Sequence, residues 1–157
     1  MLFRSSNDDD PATNEGDFDE FLDLPGLTKT QKQAIVEARR GQGRFRETVL
    51  EHWGACAVTG CRAPELLCAS HLKPWKASSN AERLDPFNGL LLVPTLDCAL
   101  DRGLISFQND GRIILSPTLA AKDRVALGLS SGMRLRRAPH IRHQAFLKYH
   151  RDHVLRT

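Results

Sequence analysis

No long apolar run occurs anywhere in the sequence. None of its 157 residues lies in a stretch approaching the roughly 18 to 20 apolar side chains that a membrane-spanning helix needs. The opening MLFRSSNDDDP also lacks the charged-then-apolar layout of a secretory leader. The expectation is therefore a soluble, cytoplasmic protein with no membrane contact. Cysteine is scarce: the four, Cys56, Cys61, Cys68 and Cys98, are too few for a disulfide scaffold and read as reduced thiols. Internal repeats are missing as well, which excludes collagen and coiled coils. With 41% hydrophobic and 26% charged residues, a chain this short holds one main core and not two full-sized ones.

Acidic residues are unevenly spread. Residues 1–25 hold eight (Asp8, Asp9, Asp10, Glu15, Asp17, Asp19, Glu20 and Asp23) against the single base Arg4, a net −7, so the overall +3 leaves +10 for the remainder. So basic a body attracts polyanions through a salt-sensitive field, and nucleic acid is the commonest such partner. Residues 1–17 are polar and aperiodic, which predicts a disordered acidic tail. FDEFLDL at 18–24 predicts a helical turn ended by Pro25 and Gly26. The expected layout is a tail over 1–17, a helical segment over 18–43 and the principal domain over 44–157.

Local patterns extend this reading. Thr28 and Gln31 form a capping box that predicts a helix over 28–40, broken at Gly41 and Gly43, with a second helix over 44–53. CAVTG and ELLCASH read as two short strands, residues 73–87 as a loop, and LLLV at 90–93 as a further strand. Pro94 opens a short helix that Gly103 closes. LISFQNDGRIILS predicts a hairpin about Asn109, Asp110 and Gly111. A helix with Pro117 at its first position runs toward Gly128, and a last helix over 140–155 is expected to bury Ile141, Ala145, Phe146, Tyr149 and Val154. The histidines of that last segment, His140, His143, His150 and His153, read as solvated or phosphate-facing.

The chemistry concentrates between residues 69 and 103. A strand ending at His71, a loop, a strand starting near Asn88 and a helix bearing Asp97 and Asp101 make a β-β-helix unit. Asp97 and Asp101 are four apart, so on a helix their carboxylates share one face and repel. Either a hard divalent cation or nearby arginines, Arg102 or Arg83, answer that repulsion. A lone histidine at a strand end is ordinarily a hydrogen-bonded structural group, but here it keeps company with an asparagine and two acids. Cys56 and Cys61 could begin a structural zinc site, yet Val93 and Leu96 stand where a second cysteine pair is needed.

The order His71, Asn88, Asp97, Asp101 resembles the HNH endonucleases, and within them a bacterial subgroup. The blocks that carry the resemblance are CAVTG at 56–60, ASHLKPW at 69–75, RLDPFNGLLL at 83–92 and DCALDRGLISF at 97–107, with GQGRFR upstream and YHRDHV downstream. The resemblance implies an α+β fold with a ββα-metal nuclease core, flanking helices and an extra β-hairpin. It implies a metal-dependent endonuclease that nicks or cuts double-stranded DNA. His71 is implied as general base and Asn88 as the group that holds the loop, orients His71 or lends its carbonyl oxygen to the metal. Asp97 and Asp101 take the place of metal-binding histidines, which favours Mg²⁺ or Mn²⁺ over zinc. Ser70 stands where relatives carry a further acidic or histidine ligand. Lys73 or Arg102 would hold the phosphate, with Arg44, Arg46, Arg134, Arg136 and Arg137 on the DNA backbone. A homodimer would account for a double-strand cut, and restriction or other bacterial defence is one setting that uses this unit. The alternative is an HNH-fold DNA-binding module that no longer cleaves.

Overall fold

The computed structural model describes residues 26–157. The acidic tail and the expected turn at 18–24 lie outside the described residues. The chain divides into two compact units, Met1–Gly43 and Arg44–Thr157.

The capping box at Thr28 forms as its residues require. The Thr28 amide donates to Gln31 Oε1 at 2.8 Å and the Gln31 amide to Thr28 Oγ1 at 3.2 Å, satisfying amides that a helix start leaves without partners. Helix α1 (Lys29–Trp53) then runs without interruption, so the expected break at Gly41 and Gly43 does not occur. Each mid-helix glycine costs only about 1 kcal/mol relative to alanine. Against this, Phe45, Val49 and Trp53, spaced by four, are all buried and hold the second half of the helix onto the core.

In the unit of residues 44–157, β1 (Cys68–His71) pairs antiparallel with β2 (Gly89–Leu92), His71 opposite Gly89 and Cys68 opposite Leu92. Leu90, Leu91 and Leu92 are fully buried, the signature of a strand covered on both faces. Gly89 lets α1 approach: a Cβ there would lie 2.6 Å from Val49 Cγ2 and 2.7 Å from Phe45 Cζ. Helix α3 (Pro94–Asp101) packs against β1. CAVTG is not a strand. Residues 57–59 turn, with one ladder-like bond from the Ala57 amide to the Leu91 carbonyl at 2.7 Å.

The expected loop over 73–87 is structured. It holds 3-10 turns at Trp75–Ala77 and Pro86–Asn88 around helix α2 (Asn80–Leu84), so Asn88 ends a turn and β2 starts at the next residue, as near Asn88 as expected. Strands β3 (Ile105–Phe107) and β4 (Ile113–Leu115) form the expected hairpin. Helix α4 (Ala121–Ala126) starts later than predicted, because the Ser116 hydroxyl and carbonyl take the Thr118 and Leu119 amides into a turn first. Helix α5 (His143–His153) begins three residues late and packs on β3. Its buried positions are His143, Leu147 and His150, whereas Ile141 is 67% exposed and Ala145 is exposed. The architecture is α+β, and no described helix is long and apolar enough to cross a membrane.

Candidate functional site

Asn88 organises the segment between the two strands. Fully buried, its Oδ1 accepts from the Lys73 amide at 2.8 Å. Its Nδ2 donates to the carbonyls of Lys73 (3.3 Å) and Glu82 (3.0 Å) and to Ser78 Oγ (3.3 Å). These bonds tie both ends of the excursion together and commit the side-chain oxygen to a backbone amide. Glu82 completes the clamp. It closes a capping box with Ser79 at the start of α2 and meets Lys73 Nζ at 2.8 and 2.9 Å. That lysine, followed by the Ser79 backbone amide, holds the Glu82 carboxyl below its ordinary range.

His71 sits at the end of β1 beside this clamp. Its ring stacks on Phe45 with centroids 3.6 Å apart and 11° between planes, and Trp75 meets it edge-on at 5.6 Å. Nε2 lies 3.0 Å from the Arg83 carbonyl. A carbonyl can only accept, so Nε2 carries the proton in the neutral ring and Nδ1 carries the lone pair. Arg83 is itself fixed: its Nε donates to the Trp75 carbonyl at 3.0 Å, and its guanidinium lies 4.9 Å from the Trp75 ring centre.

Neighbouring residues of a strand face opposite ways. Ser70, buried, turns toward α3, where its hydroxyl donates to Asp97 Oδ1. Asp97 is half-buried and Asp101, one turn on, is exposed. Both lie within α3, so the shared helical face expected from their spacing is present. Among the described residues no three His, Cys, Asp or Glu side chains assemble as a metal cage. The groups that Asp97, Asp101 and Ser70 would offer an ion are two carboxylates and a hydroxyl, all oxygen. Such a set fits a hydrated hard cation such as Mg²⁺, which keeps several waters and takes one or two carboxylates, and does not fit a three-ligand zinc site.

The cationic residues divide. Lys73 is paired with Glu82. Arg46 donates to the carbonyls of Leu67 and Pro64, pinning the approach to β1. Arg137 donates to the His52 carbonyl and lies over Trp53 at 4.7 Å. Arg134 reaches the Asp110 carbonyl at 3.2 Å, and Arg136 lies against Gly60. Arg44 and Arg102 are exposed. Two histidines of α5, His143 and His150, depart from expectation. His150 is buried, with Nδ1 2.9 Å from Ser106 Oγ and Nε2 3.0 Å from the Leu100 carbonyl, which anchors the end of α3. His143 is buried among His52, Trp53 and Phe87, while His140 and His153 are exposed.

Three contributors escaped the sequence reading. Glu82 was visible as the last residue of Ser79-Asn80-Ala81-Glu82, a capping-box pattern. Ser70 was noted as a replacement but not as the partner of Asp97. Phe45 under His71 is a contact across 26 positions with no local signal.

Residues 56–108, the segment from the turn before β1 through β3, match the HNH endonuclease family model. The family has a nuclease-type function, acts on DNA and generally uses a divalent metal. No curated protein matches the chain.

Proposed function

We propose that this protein is a metal-dependent endonuclease that hydrolyses phosphodiester bonds of DNA by nicking or double-strand cleavage. The observation that carries the reading is the setting of His71. Its ring is held between Phe45 and Trp75, and the Arg83 carbonyl fixes the tautomer that leaves a basic Nδ1.

In this role His71 takes a proton from the attacking water at Nδ1, a task suited to an imidazole near neutral pH. Asn88 acts indirectly, by holding the clamp that delivers the Arg83 carbonyl. Asp97 and Asp101 would hold Mg²⁺ or Mn²⁺, with the Ser70 hydroxyl fixing the Asp97 carboxylate. A divalent ion held by these residues would supply positive charge against the phosphoryl oxygens and the leaving 3′ oxygen. Arg102 and Arg44 are exposed and suit phosphate contacts better than Lys73 or Arg46, whose charged groups are already engaged.

A second reading is a DNA-binding module that no longer cleaves. It is favoured by the small ligand set, two acids where a cage of three is wanting among the described residues. Incubation of supercoiled plasmid with the protein and Mg²⁺ or Mn²⁺, with and without chelator, separates the two. Nicked or linear product that vanishes with chelator and in His71→Ala supports the enzyme. Plasmid binding without any conversion, unchanged in Asp97→Asn, supports the module.

A further inference from the structure

A groove lies apart from the His71 clamp, between the turn at 57–60 and a strap at 133–138 that is bridged to Arg112 at Arg134 and bends at 136–137. The strap is pinned on both sides. The Met133 carbonyl accepts from the Ile113 amide at 3.1 Å, and the Leu135 amide donates to the Gly111 carbonyl at 2.8 Å. The Arg136 amide donates to the Ala57 carbonyl at 2.7 Å. Alternation along the chain then sorts the side chains: Leu135 is 2% exposed, while Arg134 and Arg136 are exposed. Between strap and turn is an open space of about 540 Å³ with Val58, Thr59, Met133, Leu135 and Ala138 along it and the two arginines at its rim. Gly60, at φ +78°, lets the Arg136 guanidinium lie against the turn, since a Cβ there would lie 1.4 Å from Arg136 Nη1.

The geometry points to a subsite for one unpaired nucleotide of a DNA strand, its base in the groove and its flanking phosphates on Arg134 and Arg136. The inference rests on the reading of the protein as DNA-acting. Charge supports it. No acid occurs between Asp123 and Asp152, and Asp110, the carboxylate beside the rim, is already paired with Arg112 at 3.2 Å. Planar guanidiniums spaced two residues apart on one side of a strap suit phosphate oxygens and also stack on bases. An apolar lining that includes the polarizable Met133 accepts the face of any base, which is why such sites are sequence-tolerant.

Position supports it too. The Ala57 amide bonds to the Leu91 carbonyl on β2, and β2 is the neighbour of β1. Two strand spacings and a two-residue offset place the turn roughly 10 to 12 Å from His71, within the reach of one or two nucleotides. The substrate class so defined is DNA with a bulged or single-stranded position beside the cut, in preference to a perfect duplex.

The test is a fluorescence-anisotropy titration of the full chain without divalent metal at fixed salt. Three labelled DNAs are compared: a fully paired duplex, the same duplex with one unpaired nucleotide, and that duplex with the unpaired position abasic. The expected result is about tenfold tighter binding of the unpaired nucleotide, on the order of one base contact, and loss of that gain in the abasic DNA. Ala138→Trp and Thr59→Trp, both at exposed positions, should fill the groove and abolish the preference while leaving the paired duplex bound. Equal binding of all three DNAs by the wild type overturns the subsite and leaves the DNA-acting reading intact. So does a preference that survives both tryptophan variants, or one removed equally by an acidic apolar peptide competitor with no dependence on the base. Failure to bind any of the three defeats the DNA-acting reading as well.

Discussion

Asn88 shows how much one side chain can carry. Its amide makes four hydrogen bonds from a fully buried position, and each buried partner left without a bond costs about 1 to 3 kcal/mol. Asn88→Ala should therefore lose about 3 kcal/mol in urea unfolding, and a loss below half a unit would remove it as the organiser of the clamp. His143 makes the opposite case. Among the described residues neither ring nitrogen has a hydrogen-bond partner, and burial, then the neighbouring His52, lowers its pKa to about 4. A histidine depressed in the folded state favours the fold fully above its ordinary pKa near 6.5. That contribution, on the order of 3 kcal/mol, is lost as pH falls toward 4 because the unfolded chain takes the proton first. His143→Phe should flatten the fall in Tm between pH 7 and pH 4.5, and an unchanged pH dependence would contradict this. His71, Asn88, Asp97 and Asp101 were legible as candidates because they sit within one short unit whose strand and helix spacing is local. The burial of His143 and His150 was not, because periodicity assigns the core to apolar side chains. Ile141 and Ala145 were favoured over histidines that here pack on aromatic rings or find hydroxyl and carbonyl partners.

Helix α1 and strand β2 depend on glycines in opposite ways. At Gly43 a Cβ would meet nothing within 4 Å, so Gly43→Ala should stabilise a continuous helix by about 0.5 to 1 kcal/mol. Destabilisation would mean the chain bends there after all. At Gly89 the same change drives a methyl into Val49 and Phe45, and the overpacking should cost about 1 to 3 kcal/mol. Because Phe45 also backs His71, Gly89→Ala should slow any cleavage more than its loss of stability explains, a split read by comparing rate with Tm. The elements themselves divide in the same manner. The hairpin and α3 carry strong local punctuation in Asn109-Asp110-Gly111, Pro94 and Gly103, and they formed as expected. The segment at 73–87, with two prolines and several small polar residues, reads locally as a loop. It is held in turns and a short helix by Asn88 and Glu82 instead, bonds that span up to 15 positions.

At the scale of the whole molecule the charge distribution governs encounter with DNA. Beyond residue 25 the chain stands at +10, and with roughly six phosphate contacts affinity should fall on the order of 10³ between 50 and 200 mM salt. A flat salt dependence in a filter-binding assay would remove the electrostatic part of the account. What remains is whether the clamp around His71 performs hydrolysis. The most direct measurement is the single-turnover cleavage rate of a labelled DNA duplex in Mn²⁺, for wild type and for His71→Ala shown to be folded by its melting curve. Loss of a general base predicts a fall of about 10² to 10⁴, with the variant still binding the duplex. Equal rates in the two proteins would contradict the assignment of His71.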